Sequence, residues 1–166
     1  VNKALMKRGA AIHEINTVRK HLSLIKGGQL AHLAAPATLI TLIISDVISN
    51  DLQVIASGPT VLDKTTIKDA RRIQKKYHLP SLPFKETPKD HLKNATNIII
   101  LSNDAALNAM RKKAISFGYK TEIFSSKLQG EAEVVGKKLA QALKTKTTLI
   151  AVGETTVTVK GRGKGG

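Results

Sequence analysis

Residues 97–152 read NIIILSNDAALNAMRKKAISFGYKTEIFSSKLQGEAEVVGKKLAQALKTKTTLIAV, and this stretch decides the fold. Residues 97–101 are a short β-branched run, expected to be a strand. Residues 104–116 form a helical pattern closed by Gly118, at the position past a helix end where a left-handed residue fits. Residues 119–124 read as a strand. Residues 130–144 read as a helix with Ala132, Val135, Leu139 and Ala142 on one face. Residues 147–152 read as a strand, and 155–160 alternate like another. Strand–helix–strand–helix–strand implies a parallel sheet joined by right-handed crossovers. The expected class is therefore α/β, with parallel-sheet Rossmann-like units belonging to parts of two α/β domains.

Upstream, residues 11–25 place Ile12, Ile15, Val18, Leu22 and Ile25 on one helical face, and Gly27-Gly28 ends that helix. Residues 38–45 (TLITLIIS) read as a fully buried strand. Polar turns follow at Ser49, Asn50 and Asp51, and at Ser57-Gly58-Pro59-Thr60. Residues 65–77 form a short helix with Thr65 or Thr66 as its cap. Pro80, Pro83 and Pro88 then punctuate a stretch of little periodicity. The expected division is 1–92, the end of a first α/β domain, and 93–166, the start of a second.

The 166 residues carry 27 Lys+Arg against 12 Asp+Glu, a net charge of +15. Aromatics make up 3%, and there is no Cys. Disulfides, thiolate metal sites and cysteine nucleophiles are excluded, and a reducing cytoplasm is the natural compartment. The apolar window 30–48 contains His32, Pro36 and Asp46, too polar for a membrane span. Residues 1–92 hold 14 basic and 7 acidic groups, and residues 93–166 hold 13 and 5. So even a spread, with few aromatics to stack bases, points away from nucleic acid and towards a small anionic substrate. The chain starts on Val1 and stops inside a glycine run. The expected reading is an internal piece of a longer protein.

Several groups could carry chemistry. Ser45-Asp46 lies at the carboxyl end of the 38–45 strand, where α/β sheets bind ligands. A carboxylate there can hold Mg²⁺, accept a hydroxyl proton, or simply cap the next turn. Ser57-Gly58-Pro59-Thr60 can offer backbone N–H groups to an anion, or bind nothing. Arg19, Lys20, His21 and Lys26-Gly27-Gly28 form a cationic segment that can grip a carboxylate or phosphate, or be a solvated face. Gly153-Glu154-Thr155-Thr156 leads into the glycine-rich run 161–166, a phosphate loop or a plain flexible one. That run matches GxGxxG formally, yet no helix follows to place a pyrophosphate. There is no GxxxxGK[ST] loop, HExxH or GxSxG, so His13, His21, His32, His78 and His91 do not form a metal motif.

Taken in order, EINTVRKHLSLIKGGQLA (14–31), LIISDV (42–47), DLQVIASGPTVLD (51–63), LSNDAAL (101–107) and GETTVTVKGRGKGG (153–166) resemble the glycerate 2-kinase family, whose C-terminal part is called the MOFRL domain. The resemblance implies transfer of the γ-phosphoryl group of ATP to D-glycerate, giving 2-phosphoglycerate, with Mg²⁺, in a cleft between two α/β domains. It implies that Asp46 is the essential carboxylate, as Mg²⁺ ligand or base. Arg19 and Lys20, with Lys26, then hold the glycerate carboxylate or the phosphates. Ser45, Ser57, Gly58 and Thr60 line the cleft, the turn by backbone donors, and Glu154 and Thr155 face it from the second domain. No nucleic acid or membrane partner is implied, and a homodimer stays open. The family's upstream glycine-rich loop and the RNQE block after the final glycines are missing. Ser49-Asn50 stands where the family has Gly-Asp, so one carboxylate, Asp46, remains where the pattern has two. Ala151-Val152 stands where a glycine often precedes Gly153. The chain is expected to be inactive alone. The alternatives are a hydroxypyruvate reductase with a nicotinamide cofactor, and a basic nucleic-acid-binding module.

Overall fold

The structure is a computed structural model that describes residues 1–90 and 92–158. His91 and the glycine-rich run 161–166 lie outside the described residues, as does the end of the expected 155–160 strand. The chain divides into two compact units, Val1–Ile100 and Leu101–Gly166.

The first unit contains α1 (Asn2–Lys7), α2 (Ile12–Leu22), α3 (Gln29–Ala34), β1 (Leu39–Ile44), a 3₁₀ turn (Ile55–Ser57) and α4 (Ile67–Lys76). It closes with β2 (Ala95–Leu101), which pairs with β1 in a two-stranded sheet. Its core is Leu5, Ile15, Val18, Ile73 and Leu79, where α1, α2 and α4 meet. Tyr77, Leu82 and Phe84 pack around that core. α4 starts where sequence chemistry places it. The Thr66 hydroxyl accepts from Asp69 N (3.3 Å), and the Asp69 carboxylate accepts from Thr66 N (2.9 Å), a reciprocal cap.

Two expectations are corrected here. α2 ends at Leu22 rather than at residue 25, and Ile25 is exposed. Ser23 is extended, and its hydroxyl accepts from Ile25 N and Lys26 N (both 3.2 Å), a local turn that competes with helix. The Gln29 amide then donates to the carbonyls of Lys20, Ser23 and Lys26, satisfying the helix end. β1 is not fully buried. Leu39, Thr41 and Ile43 are half-buried, whereas Ile40, Leu42 and Ile44 are exposed. With β2 as its neighbour in a two-stranded sheet and one face covered, an apolar run shows the alternation of a half-buried strand.

The second unit contains α5 (Asn103–Ser116), β3 (Lys120–Leu128), α6 (Ala132–Ala142) and β4 (Thr147–Gly153). β3 and β4 are parallel, in register from Lys120↔Thr147 to Leu128↔Gly153, with irregularities around Ser125. The parallel β3–α6–β4 crossover is the second half of the strand–helix–strand–helix–strand pattern that the sequence implies, whereas the expected strand at 97–101 does not join this sheet and, as part of β2, pairs with β1. α5 packs on both strands. Its start is capped by the Ser102 hydroxyl, and Gly118 takes φ +81° just past its end. In place of the expected strand at 155–160, the described part makes one isolated parallel bridge, Glu131↔Thr156. No described helix is long and apolar enough to cross a membrane.

Candidate functional site

Two segments of the first unit converge beside α2. The Lys26-Gly27-Gly28 loop lies along the 57–59 turn. Gly27 N donates to Ser57 O (3.0 Å), Gly28 N to Gly58 O (2.8 Å) and Leu30 N to Pro59 O (3.2 Å). Close backbone approach requires the glycine at Gly28, which has φ +84°. A Cβ there would lie 3.1 Å from Val61 O and 3.2 Å from Leu92 Cδ1.

The turn itself is strained. Ala56, Ser57 and Gly58 take φ +51°, +62° and +58° in succession, and the first two carry side chains. Each such residue costs roughly 1–3 kcal/mol and persists only where its surroundings fix it. Here the fixing contacts are specific. The buried Ser57 hydroxyl donates to Asn16 Oδ1 (3.0 Å), and Lys26 Nζ donates to Ala56 O (2.9 Å).

Asn16 Oδ1 also accepts from Arg19 Nη1 (3.4 Å), one helical turn on. Arg19 and Lys26 are therefore tied to one strained turn. Burial lowers the pKa of the Lys26 ammonium, and the positive charge of Arg19 lowers it further. Among the described residues, neither cation forms a salt bridge. Two neighbouring cations tied to one turn form an arrangement suited to an anion.

Lys20 has a different place. It is 5% exposed, and its ammonium lies 3.2 Å from the buried Asp63 carboxylate. Asp63 also accepts from Thr65 N (3.0 Å), from the Thr65 hydroxyl and from the Thr87 hydroxyl (3.3 Å). The next residue, His21, sets Nδ1 2.9 Å from Thr17 O and Nε2 3.2 Å from Glu86 Oε1. Burial acts to raise the Glu86 pKa, but the Ile67 N–H, Lys89 and His21 outweigh it and hold the carboxyl at about 2. Lys20 thus sits in an interior ion pair rather than at an anion site. Adjacent helical residues point about 100° apart, so Arg19 and Lys20 cannot share a face.

The turn residues differ from expectation too. Ser57 N and Gly58 N donate inside the turn, to Val54 O (3.0 Å) and Ile55 O (2.9 Å), so these two backbone donors are already engaged. Thr60 is buried. Its hydroxyl bonds Asn97 Oδ1 on β2 and accepts from Thr41 on β1 (3.2 Å), tying the turn to the sheet. Ser45 is buried directly after β1, with its hydroxyl 3.4 Å from Val47 O, and Asp46 follows it, exposed. Farther along this loop, Asn50 has φ +51°, and its buried Oδ1 has no hydrogen-bond partner among the described residues. Glu154 and Thr155 are exposed in the second unit, just after β4. Among the described residues, no group of three His, Asp or Glu side chains could hold a metal ion.

Sequence reasoning missed Asn16, Asp63 and Glu14. Asn is a poor helix former, so an Asn inside the 11–25 pattern was a signal for a tertiary hydrogen bond. Glu14 receives Ala11 N (3.0 Å), Lys76 Nζ (2.7 Å) and the Tyr77 hydroxyl (2.6 Å). The Lys76, Tyr77 and Ala11 bonds, in that order, hold its pKa at about 2.

Residues 1–93 match the family described as Domain of unknown function (DUF4147), and the chain belongs to that family. Its relatives include glycerate kinases. It is 41% identical to the glycerate 2-kinase of Pyrococcus horikoshii, over 98% of this chain and 42% of that protein. It matches the crystal structure of glycerate kinase from Thermotoga maritima with a TM-score of 0.86 and 39% identity, over 99% of this chain and 44% of that one. It is also 42% identical to an Agrobacterium vitis protein provisionally named a hydroxypyruvate reductase, over 98% of this chain and 48% of that protein. The chain spans less than half the length of these relatives.

Proposed function

We propose that this chain contributes to the ATP-dependent phosphorylation of D-glycerate, giving 2-phosphoglycerate, ADP and a proton. The observation that carries this reading is the Arg19–Lys26 pair, tied to one strained turn through Asn16 and Ala56, in a chain about 40% identical to glycerate 2-kinases from end to end. Phosphoryl transfer needs positioning and neutralisation of spreading negative charge more than covalent help.

In this reading Arg19 takes the glycerate carboxylate through its planar fork, and Lys26 adds a point charge beside it. Asp46 accepts the proton of the C2 hydroxyl as that oxygen attacks the γ-phosphorus. Asp46 and the unpartnered Asn50 oxygen on the same loop are hard oxygen donors of the kind Mg²⁺ takes, and MgATP brings phosphate ligands of its own. Bound Mg²⁺ would neutralise charge on the transferring phosphate. Glu154 and Thr155 stay as candidates for the nucleotide. Ser45, Ser57, Gly58 and Thr60 shape the site, and Lys20 acts through the packing around Asp63. A cytoplasmic location and a homodimer belong to the same reading.

The test replaces the matched stretch of the Thermotoga maritima glycerate kinase with this chain and measures ADP release on D-glycerate. Glycerate-dependent ADP release that falls at least tenfold with Arg19→Gln supports the reading. Full activity in Arg19→Gln overturns the assignment of Arg19. The name of the Agrobacterium vitis relative favours a second reading, reduction of hydroxypyruvate. NADH or NADPH oxidation with hydroxypyruvate, and no glycerate-dependent ADP, would select it.

A further inference from the structure

We infer that Asn16 is the positioning residue of the cationic site, holding Arg19 and the Lys26-bearing turn in one geometry through its single side-chain oxygen. This rests on the anion-site reading of Arg19 and Lys26 above. Asn16 is 5% exposed, and Ser57, which donates to it, is 1% exposed. The same Oδ1 receives Arg19 Nη1 (3.4 Å) from one side and the Ser57 hydroxyl (3.0 Å) from the other. Ser57 is the middle residue of the left-handed run whose first member, Ala56, offers its carbonyl to Lys26 Nζ (2.9 Å). Ordering thus runs from Asn16 to Arg19 directly, and from Asn16 through Ser57 and Ala56 to Lys26.

The chemistry explains why Asn stands there. Two cations close together repel each other, and a strained turn relaxes unless its surroundings fix it. A carboxylate at position 16 would order Arg19 but neutralise it, competing with any incoming anion. A neutral amide oxygen orders Arg19 and leaves its charge for the ligand. An apolar side chain would leave the buried Ser57 hydroxyl without its acceptor.

The test uses the 166-residue chain with its lysines reductively methylated with ¹³C, the Lys26 signal being assigned through Lys26→Arg. Its titration and the binding of inorganic phosphate and D-glycerate are followed by NMR. In the wild type, Lys26 should titrate below the ordinary lysine range. In Asn16→Leu that titration should move up towards the ordinary range, and phosphate should bind about tenfold more weakly, the equivalent of ~1.4 kcal/mol. Ser57→Ala, which deletes one hydroxyl, should shift both in the same direction by less, and it decides the matter if Asn16→Leu does not fold. A purely structural Asn16 would lower the melting temperature yet leave both readouts of the folded protein unchanged, and that result overturns the inference. A wild type that binds neither ligand refutes the anion site, while the Lys26 titration still decides whether Asn16 positions it.

Discussion

Glu14→Gln tests how the first unit is held together. The Glu14 carboxylate sits at the start of α2 and bonds both Lys76 and Tyr77 at the end of α4. Gln keeps the shape and removes the charge. Holding the carboxyl at about 2 instead of its ordinary 4.5 corresponds to at most about 3 kcal/mol of stability at neutral pH. Lys76 is 59% exposed at its side chain, so solvent screens that pair to below about 1 kcal/mol. Roughly 2 kcal/mol remains, from the Tyr77 hydroxyl and Ala11 N–H bonds to a charged acceptor. The folded pKa lies below the unfolded one, so this contribution is complete above about pH 4.5 and is lost as the pH falls towards 2. Urea unfolding should show Glu14→Gln about 2 kcal/mol less stable at pH 7, and less than half of that deficit at pH 3. Far-UV dichroism reports the helices. With no Trp in the chain, Tyr77 and Tyr119 supply the emission, and Tyr77 reports the bond directly. A deficit equal at both pH values, or none at pH 7, would refute the reasoning.

Three further outcomes follow from the packing. Lys20→Met should cost ~3–5 kcal/mol by leaving the Asp63 carboxylate buried without its cation, and adding Asp63→Asn, which removes that charge and keeps an acceptor for Thr65 and Thr87, should restore part of it, both read from urea midpoints. Gly153→Ala should loosen the β3–β4 pairing. At φ +150° a Cβ there would overlap the Leu128 backbone, with its Cα at 2.7 Å, and hydrogen exchange at residues 120–153 should rise while the first unit stays protected. Thr66→Ala should cost about 1 kcal/mol by removing the cap of α4, with a matching loss of helical dichroism.

How much of this was legible depends on the range of the physics involved. The start of α4 is set by side chains within four residues, Thr66 with Asp69, and the end of α5 by Gly118, and the sequence shows both. The parallel β3–α6–β4 unit follows from periodicity alone. The early end of α2 was written in Ser23, but the apolar spacing through Ile25 masks it. The burial of β1 was not legible, because a strand's exposure depends on what covers its other face. The candidate site divides likewise. Arg19 and Lys26 are visible as cations near a glycine turn. That Lys20 goes inside depends on Asp63, 43 residues away, and that Asn16 matters depends on Ser57, 41 residues away. Neither partnership leaves a local mark.

The most direct measurement of the central claim is proton-coupled phosphorus NMR of the Thermotoga maritima graft, incubated with MgATP and D-glycerate. A phosphate ester on C2 couples to one carbinol proton and gives a doublet, whereas an ester on C3 couples to a methylene pair and gives a triplet. The account expects a doublet that grows with ADP, requires D-glycerate and disappears with Asp46→Asn. A triplet, or no new ester from a folded graft, would contradict it.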